Sequence, residues 1–507
     1  MAAKQEFLDE PEVFRPADAA AASRAVRRGE IRRLARGLYT TNLDEPAERL
    51  LRRRWIEVTA LYFPGAVIVD RSAVDGRPAA DGSLFLDAGP ERRHPSPVAL
   101  PGLTLKPRAG PGPLEGDMPF DALHRSGQAR TALDNVRPSR ARSGVARTLG
   151  AAELEEWLER LARNRGEAEL LRLRDDARRI APALAAQPQL QRLDRLIAAL
   201  LGTGEASLAT APGRARARRE PFDTARIALF EALHGALAGH IAPLRPEPTD
   251  PHRVFAFFEA YFSNFIEGTE FEVGEAEEIV FEGAVPAERP EDAHDILGTF
   301  GAVTDPGLRA RVPAAAEDFM DLLRELNRRI LEGWSDKGPG EWKQRANRAG
   351  ATSFVAPDLV AGTLREAWRF YATLPAGFPR AVFAMFATSE VHPFADGNGR
   401  VSRVLLNAEL SAGGQCRVAI PLCFRTDYLG ALRAMSRQGN PEPLLRAIER
   451  AQRWSSLVDW STMPRALAQL ERANALVAPD EADERGLVLL DPVPAFGGVG
   501  VSKRPRR

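Results

Sequence analysis

The spacing of apolar residues changes along the chain, and the change divides it. From Pro221 onward apolar positions recur three and four residues apart, which puts one apolar stripe on a helix. That pattern predicts helices over 224–241, 253–267, 290–300, 314–334, 361–373, 379–389, 398–411, 427–436 and 441–454, with one extended patch at 349–357. Before Pro221 the pattern is mixed. Segments 66–70, 83–86 and 103–106 read as strands between turns rich in Pro, Gly and Asp. Segments 51–63, 151–180 and 189–201 read as helices, with Pro182 closing the second. Residues 22–39 read as two short helical pieces joined around Gly29, the second ending at Gly37 where the chain turns extended.

Composition marks the boundaries. Residues 202–220 are small, polar and basic with a Pro-Gly break, the pattern of a linker. Beyond Pro479 the chain grows rich in Gly and Pro and ends in a basic cluster, which predicts a partly disordered extension over 461–507. The layout expected is therefore an α+β region at 1–201, a linker at 202–220, a helical domain at 221–460 and the extension.

At 507 residues, 44% apolar and 27% charged, the chain has the make-up of an ordinary globular protein with several cores. No run of eighteen apolar residues is present, which argues against a membrane span, and the first residues lack the layout of a secretory signal. Two cysteines, Cys416 and Cys423, make neither a disulfide framework nor a typical zinc site, so a reducing cytoplasm is the expected setting. Charge sums to zero but unevenly. Residues 1–200 carry 33 basic against 28 acidic side chains, and the remainder 36 against 41. The excess at the N-terminal end is a hint of nucleic acid there, or simply a solvated surface.

The string carrying chemistry is His392-Pro393-Phe394-Ala395-Asp396-Gly397-Asn398-Gly399-Arg400-Val401-Ser402-Arg403. It reads as a loop entering a helix. Gly397, Asn398 and Gly399 allow a bend whose N–H groups turn inward, and the positive end of the next helix adds to an anion cradle. Arg400 and Arg403 share a helix face and can reach phosphate oxygens. Asp396 offers a hard oxygen to a magnesium ion, and His392 can take a proton near neutral pH. Each residue alone has a bland explanation. Twelve in a row leave it little room.

This string resembles the signature of the Fic family, His-x-Phe-x-(Asp/Glu)-Gly-Asn-(Gly/Lys)-Arg-x-x-Arg, at every specified position. The resemblance implies a helical core with a short hairpin flap, spanning about 221–454. It also implies transfer of AMP from ATP, with Mg²⁺, to a Ser, Thr or Tyr hydroxyl of a protein. His392 would be the base and Phe394 a core anchor. Asp396 would hold the metal, Gly397, Asn398 and Gly399 the α- and β-phosphates, and Arg400 and Arg403 the β- and γ-phosphates. Gly399, where Lys is the alternative, resembles the AMP-transferring members. Ser263-Asn264-Phe265-Ile266-Glu267-Gly268 is similar to the family's inhibitory motif, (Ser/Thr)-x-x-x-Glu-(Gly/Asn), preceding the core in the same chain. It implies that Ser263, Glu267 and Gly268 belong to an inhibitory helix whose Glu267 pairs with Arg403. The patch 350–357 lies where the family has its flap, which holds a target strand. Asn407 and Tyr428 are candidates for an adenine pocket by position.

The stretch 27–39 is basic around Gly29 and Gly37. With 69–73 and 126–133 it resembles the winged helix-turn-helix head of AbiEi-like antitoxins. That implies DNA contact through Arg27, Arg28, Arg32, Arg33 and Arg36. Two other outcomes stay open: removal of AMP by the same fold, and a DNA-binding regulator whose core only senses nucleotide. Self-association is left open. The fold class expected is mainly α, with an α+β head of winged-helix type.

Overall fold

The structure, a computed structural model, describes residue 7 and residues 10–141, 144–246, 253–350 and 352–492. It forms two compact units, Met1–Arg219 and Glu220–Arg507.

In the first unit the strands β1 (Val13–Phe14), β2 (Arg32–Ala35) and β3 (Leu38–Thr40) make an antiparallel sheet in the order β1-β3-β2 beside helix Ala19–Arg28. Asp18 caps that helix by accepting from the N–H of Ala20 and Ala21, and Gly29 ends it at φ 73°. The second helical piece expected before Gly37 is instead the hairpin β2–β3. Too few residues separate Gly29 from Gly37 to repay the cost of starting a helix. Pairing with β3 satisfies the backbone while Ile31, Leu34 and Leu38 reach the cores.

Two helices expected as single are broken. Residues 51–63 fall into Ala47–Arg53 and Trp55–Tyr62. Residues 151–180 split into Ala151–Arg165 and Glu167–Ile180 at Gly166, whose φ of 83° and ψ of 162° no helix accommodates. A second, mixed sheet runs β6-β7-β5-β4-β9-β8, from β4 (Val67–Ile68), β5 (Ser83–Asp87), β6 (Val98–Leu100), β7 (Leu103–Arg108), β8 (Met118–Phe120) and β9 (Leu123–Arg125). Behind it the buried Arg130 binds Asp87 at 2.5 Å and Asp117 at 2.7 Å.

The stretch expected as a linker at 202–220 is largely packed. It holds helix Ala211–Ala217, started by Thr210. Glu155 accepts from the N–H groups of Ala209 and Thr210, both at 2.8 Å, and buried Arg216 pairs with buried Glu159 at 3.1 Å. The basic residues are there because buried carboxylates need partners.

The second unit is helical apart from the hairpin β10 (Arg348–Ala349) and β11 (Thr352–Ser353), with Gly350 at φ 57° between. Helices Thr224–Ala238, Arg253–Glu267, Pro290–Thr304, Ala316–Ile330, Val360–Tyr371, Phe378–Val391, Asn398–Ala412, Arg425–Gln438 and Glu442–Ser455 lie where the apolar spacing puts them. Val273–Glu282 is an added one. Phe255, Phe257, Phe258 and Phe262 bury a thick aromatic layer under helix Arg253–Glu267. Helices Phe378–Val391 and Asn398–Ala412 pack side by side, joined by the loop 392–397.

The C-terminal extension is ordered as far as it is described. Helices Met463–Arg472 and Pro479–Arg485 join the unit's core along with Leu487 and Leu489. Trp454 Nε1 donates to the carbonyl of Leu490 at 3.1 Å, and Asp491 pairs with Arg450 and Arg453. The Gly- and Pro-rich end that prompted the expectation of disorder, 493–507, lies outside the described residues.

Candidate active site

His392 closes helix Phe378–Val391 in the left-handed conformation, φ 53°, ordinarily left to glycine. Its N–H still bonds the carbonyl of Thr388 at 3.0 Å, so the turn aims the imidazole out of the helix rather than along it. Nδ1 lies 3.3 Å from the carbonyl of Ser389. A carbonyl only accepts, so Nδ1 carries the hydrogen and Nε2 keeps its lone pair. The ring stacks flat on Phe354, 3.8 Å between centroids. Burial pushes the imidazole down to about 4, with the Lys343 cation adding to the fall. His392 is therefore neutral, with the Nε2 lone pair unprotonated, at any physiological pH.

The loop after it braces itself. The Asn398 side chain accepts from the N–H of Phe394 at 2.8 Å and donates to the Phe394 carbonyl at 2.9 Å. Phe394 is buried against Trp342. Gly397, at φ 79°, makes the bend. Buried Asn327 donates to the Asp396 carbonyl at 2.9 Å and accepts from the N–H of Gly340. Buried Lys343 donates from its backbone to Pro393 and from Nζ to Asn347 at 2.7 Å. The Asn398 side-chain amide shapes the loop. One reading from sequence changes here. The Gly397 N–H is taken by Asp396 Oδ1 at 2.6 Å rather than pointing into a cradle. The helix begins at Asn398, and its first-turn N–H groups have no carbonyl within the helix to bind.

Both arginines point inward and both are engaged. Arg403 donates from Nε to Ser263 Oγ at 2.9 Å, and from Nη2 to the Ser263 carbonyl at 2.9 Å and Glu267 Oε1 at 2.7 Å. Arg400, only 3% exposed, pairs with Asp295 Oδ1 at 2.5 Å and faces Asp396 Oδ1 at 3.5 Å. Asp396 is 40% exposed, and its Oδ2 is 2.8 Å from Lys337 Nζ. Burial alone would raise this carboxyl, but Lys337, Arg400 and the Gly397 N–H outweigh it and hold it below the usual range.

A cleft of about 540 Å³ opens beside these groups, lined by Glu267, Phe354, Ser389, His392, Arg403 and Tyr428 among others. The hairpin β10–β11 forms one rim, and Arg437 reaches across to Thr352 Oγ1 at 3.1 Å. Tyr428 reaches the cleft wall. Asn407 does not: its amide is committed to Glu259 and to both backbone groups of Val418, which locks two helices together.

Residues 319–410 match the Fic/DOC family. The whole of that match lies within the helical unit. Protein adenylyltransferase fic-1 of Caenorhabditis briggsae is 27% identical over 197 residues, 38% of this chain and 39% of the relative. Protein adenylyltransferase Fic of Drosophila sechellia is 27% identical over 244 residues, 45% and 47%. The chain thus spans less than half the length of either. Among solved structures, Fic-1 (aa134–508) of C. elegans aligns at 19% identity and TM-score 0.35 over 65% of this chain and 96% of that one.

Asp295, Asn327, Lys337, Lys343 and Asn347 were not legible as site residues, because they come from helix Pro290–Thr304, helix Ala316–Ile330 and the connection that follows it, and only folding brings them to the loop. One signal was present. The chain holds only five lysines in an arginine-rich composition, and two of them, Lys337 and Lys343, stand here.

The residues fit a magnesium nucleotide and not a free-standing metal. Among the described residues no three acidic, His or Cys side chains gather to hold an ion. Asp396 offers one ionised oxygen beside two cations, and magnesium characteristically takes one or two carboxylates and completes its shell with phosphate and water.

Proposed function

We propose that the Fic domain transfers AMP from ATP to a Ser, Thr or Tyr hydroxyl of a protein, and that Glu267 restrains it. The observation carrying this reading is a neutral, desolvated His392 next to a braced loop and two inward-facing arginines. The relatives, which are protein adenylyltransferases, support the same reaction class. His392 Nε2 takes the proton of the target hydroxyl as that oxygen bonds to the α-phosphorus. The bond from phosphorus to the bridging oxygen breaks, and pyrophosphate leaves. The helix start at Asn398, Arg400 and Arg403 would hold the phosphates. A magnesium ion on Asp396 would neutralise the leaving pyrophosphate. The hairpin β10–β11 would hold the target's extended segment.

Glu267 occupies Arg403, the cation expected on the γ-phosphate. While that pair holds, ATP lacks one of its two arginine contacts, and Ser263 keeps the guanidinium turned toward the inhibitory helix. The test is labelling with α-labelled ATP. Glu267→Gly should raise incorporation and His392→Ala should abolish it. Equal incorporation by wild type and both variants would overturn the assignment.

For the first unit, exposed arginines favour an anionic polymer. Arg24, Arg27 and Arg28 share the open face of helix Ala19–Arg28, and Arg33 and Arg36 are exposed on the hairpin beyond it. DNA is the partner this reading names. Cys416 and Cys423 are both buried and not joined in a disulfide, which accords with a reducing compartment.

A further inference from the structure

Asp396 has two oxygens with different surroundings. Oδ1 accepts the Gly397 N–H at 2.6 Å and faces Arg400 at 3.5 Å, so its lone pairs are committed to the loop. Oδ2 is the outward oxygen, and Lys337 Nζ sits on it at 2.8 Å. The lysine is held there: its ammonium also lies 3.7 Å from the centre of the Trp334 ring. Trp334 in turn donates from Nε1 to Asp295 Oδ1 at 3.1 Å, the same oxygen that binds Arg400 at 2.5 Å. Lys337, Trp334, Asp295, Arg400 and Asp396 thus close a ring around the loop's only carboxylate.

From this ring we infer that Lys337 is a resident cation in the metal's place, and that it sets how much divalent metal the site requires. The inference rests on Asp396 being the metal ligand proposed above. A magnesium ion binds a carboxylate oxygen at about 2.0–2.1 Å. The ammonium already fills the outward direction of Oδ2, and two cations on one oxygen repel. Metal entry must therefore move Lys337 aside. Lysine suits the position because its ammonium is a compact point charge, where a guanidinium would fork across both oxygens. In a chain with five lysines, the choice here is informative.

The consequence is a site that is charge-balanced at rest. Metal and nucleotide must arrive together, because the phosphates offer the displaced ammonium a new partner while metal alone offers it none.

The test uses the full chain, Mn²⁺ as the probe and the ATP analogue with a methylene bridge between the α- and β-phosphorus, followed by the loss of the free Mn²⁺ paramagnetic signal. Lys337→Met keeps the stem over Trp334 and removes the charge. It should tighten Mn²⁺ binding about threefold, the scale of one partly exposed ion pair. Lys337→Arg, which keeps the charge and can fork across the carboxylate, should bind Mn²⁺ no more tightly than wild type, and Asp396→Asn should lose binding. Unchanged or weaker Mn²⁺ binding in Lys337→Met, or equal behaviour of the Met and Arg variants, overturns the role of Lys337 alone. Undiminished binding in Asp396→Asn overturns the metal assignment itself.

Discussion

A Cβ placed on Gly399 would stand 2.0 Å from Oε1 of Glu267. The Glu267 carboxylate therefore lies directly against helix Asn398–Ala412, in space left open by a missing side chain. Glycine at this position leaves room for Glu267 to reach Arg403. Gly399→Ala should push Glu267 off Arg403. Discounted for its partial exposure, that pair is worth about 1 kcal/mol, so AMP incorporation should rise roughly fivefold over wild type. In a Glu267→Gly background the same substitution should bring no further gain. A gain there too would mean Gly399 acts on something other than Glu267.

The pH dependence follows from the buried imidazole. His392 sits at about 4 against an ordinary value near 6.5 because burial disfavours its charge. The acid limb of the kcat/KM profile should thus fall below about pH 5 rather than near 6.5. For stability the sign is set by proton counts. Between about pH 4 and 6.5 the unfolded chain binds the proton that the folded one refuses, so stability is full above 6.5 and falls as pH drops toward 4. This one group contributes about 3 kcal/mol to that loss. Wild type and His392→Gln melted side by side across this range would show whether the slope belongs to the imidazole.

Asn398 makes two reciprocal bonds to one residue, and both are buried. Asn398→Ala leaves the N–H and the carbonyl of Phe394 without those partners, at a cost of about 2–4 kcal/mol. The melting temperature of the helical unit should fall, and with it the AMP transfer of a Glu267→Gly chain. A variant as stable as its parent would remove the loop-bracing role assigned to Asn398.

Truncation offers a fourth measurement. Deleting 479–507 removes helix Pro479–Arg485, the buried Leu487 and Leu489 and the pairs of Asp491. Burial of two leucines alone stabilises by about 3–6 kcal/mol. Calorimetry should show a clear loss, whereas a dispensable tail would show none.

The fifth concerns the basic head. Arg32 is spent on the carbonyl of Glu45, and Arg33 bonds Ala35 within its own hairpin. Arg27 and Arg36 have exposed side chains. Substituting those two with Ala should weaken binding to duplex DNA and flatten its log-salt slope by about 1 per residue. Arg32→Ala should leave that slope unchanged.

What could be read from sequence divides along a physical line. Helix Arg253–Glu267 runs over the residues its apolar spacing marks, and the stretch 392–403 holds its candidate site residues in near-consecutive positions. The hairpin β2–β3 was misread because basic residues between glycines carry no period long enough to separate strand from helix. The linker was misread because composition cannot show that Arg216 answers a buried Glu159. Asp295, Trp334 and Lys337 were invisible as a group, since nothing in their local spacing ties them to Asp396. Asn407 matched by position and still turned away, committed to Val418.

The Phe354 ring lying flat on His392 has a further result. It belongs to the strip proposed to grip the incoming polypeptide, and it is part of what keeps water from the imidazole. A guest chain that shifted that strip would change the imidazole's hydration and its appetite for protons in the same movement. Recognition and basicity would then be geared to each other, and a hydroxyl arriving without the right flanking backbone would meet a base still wearing its cover.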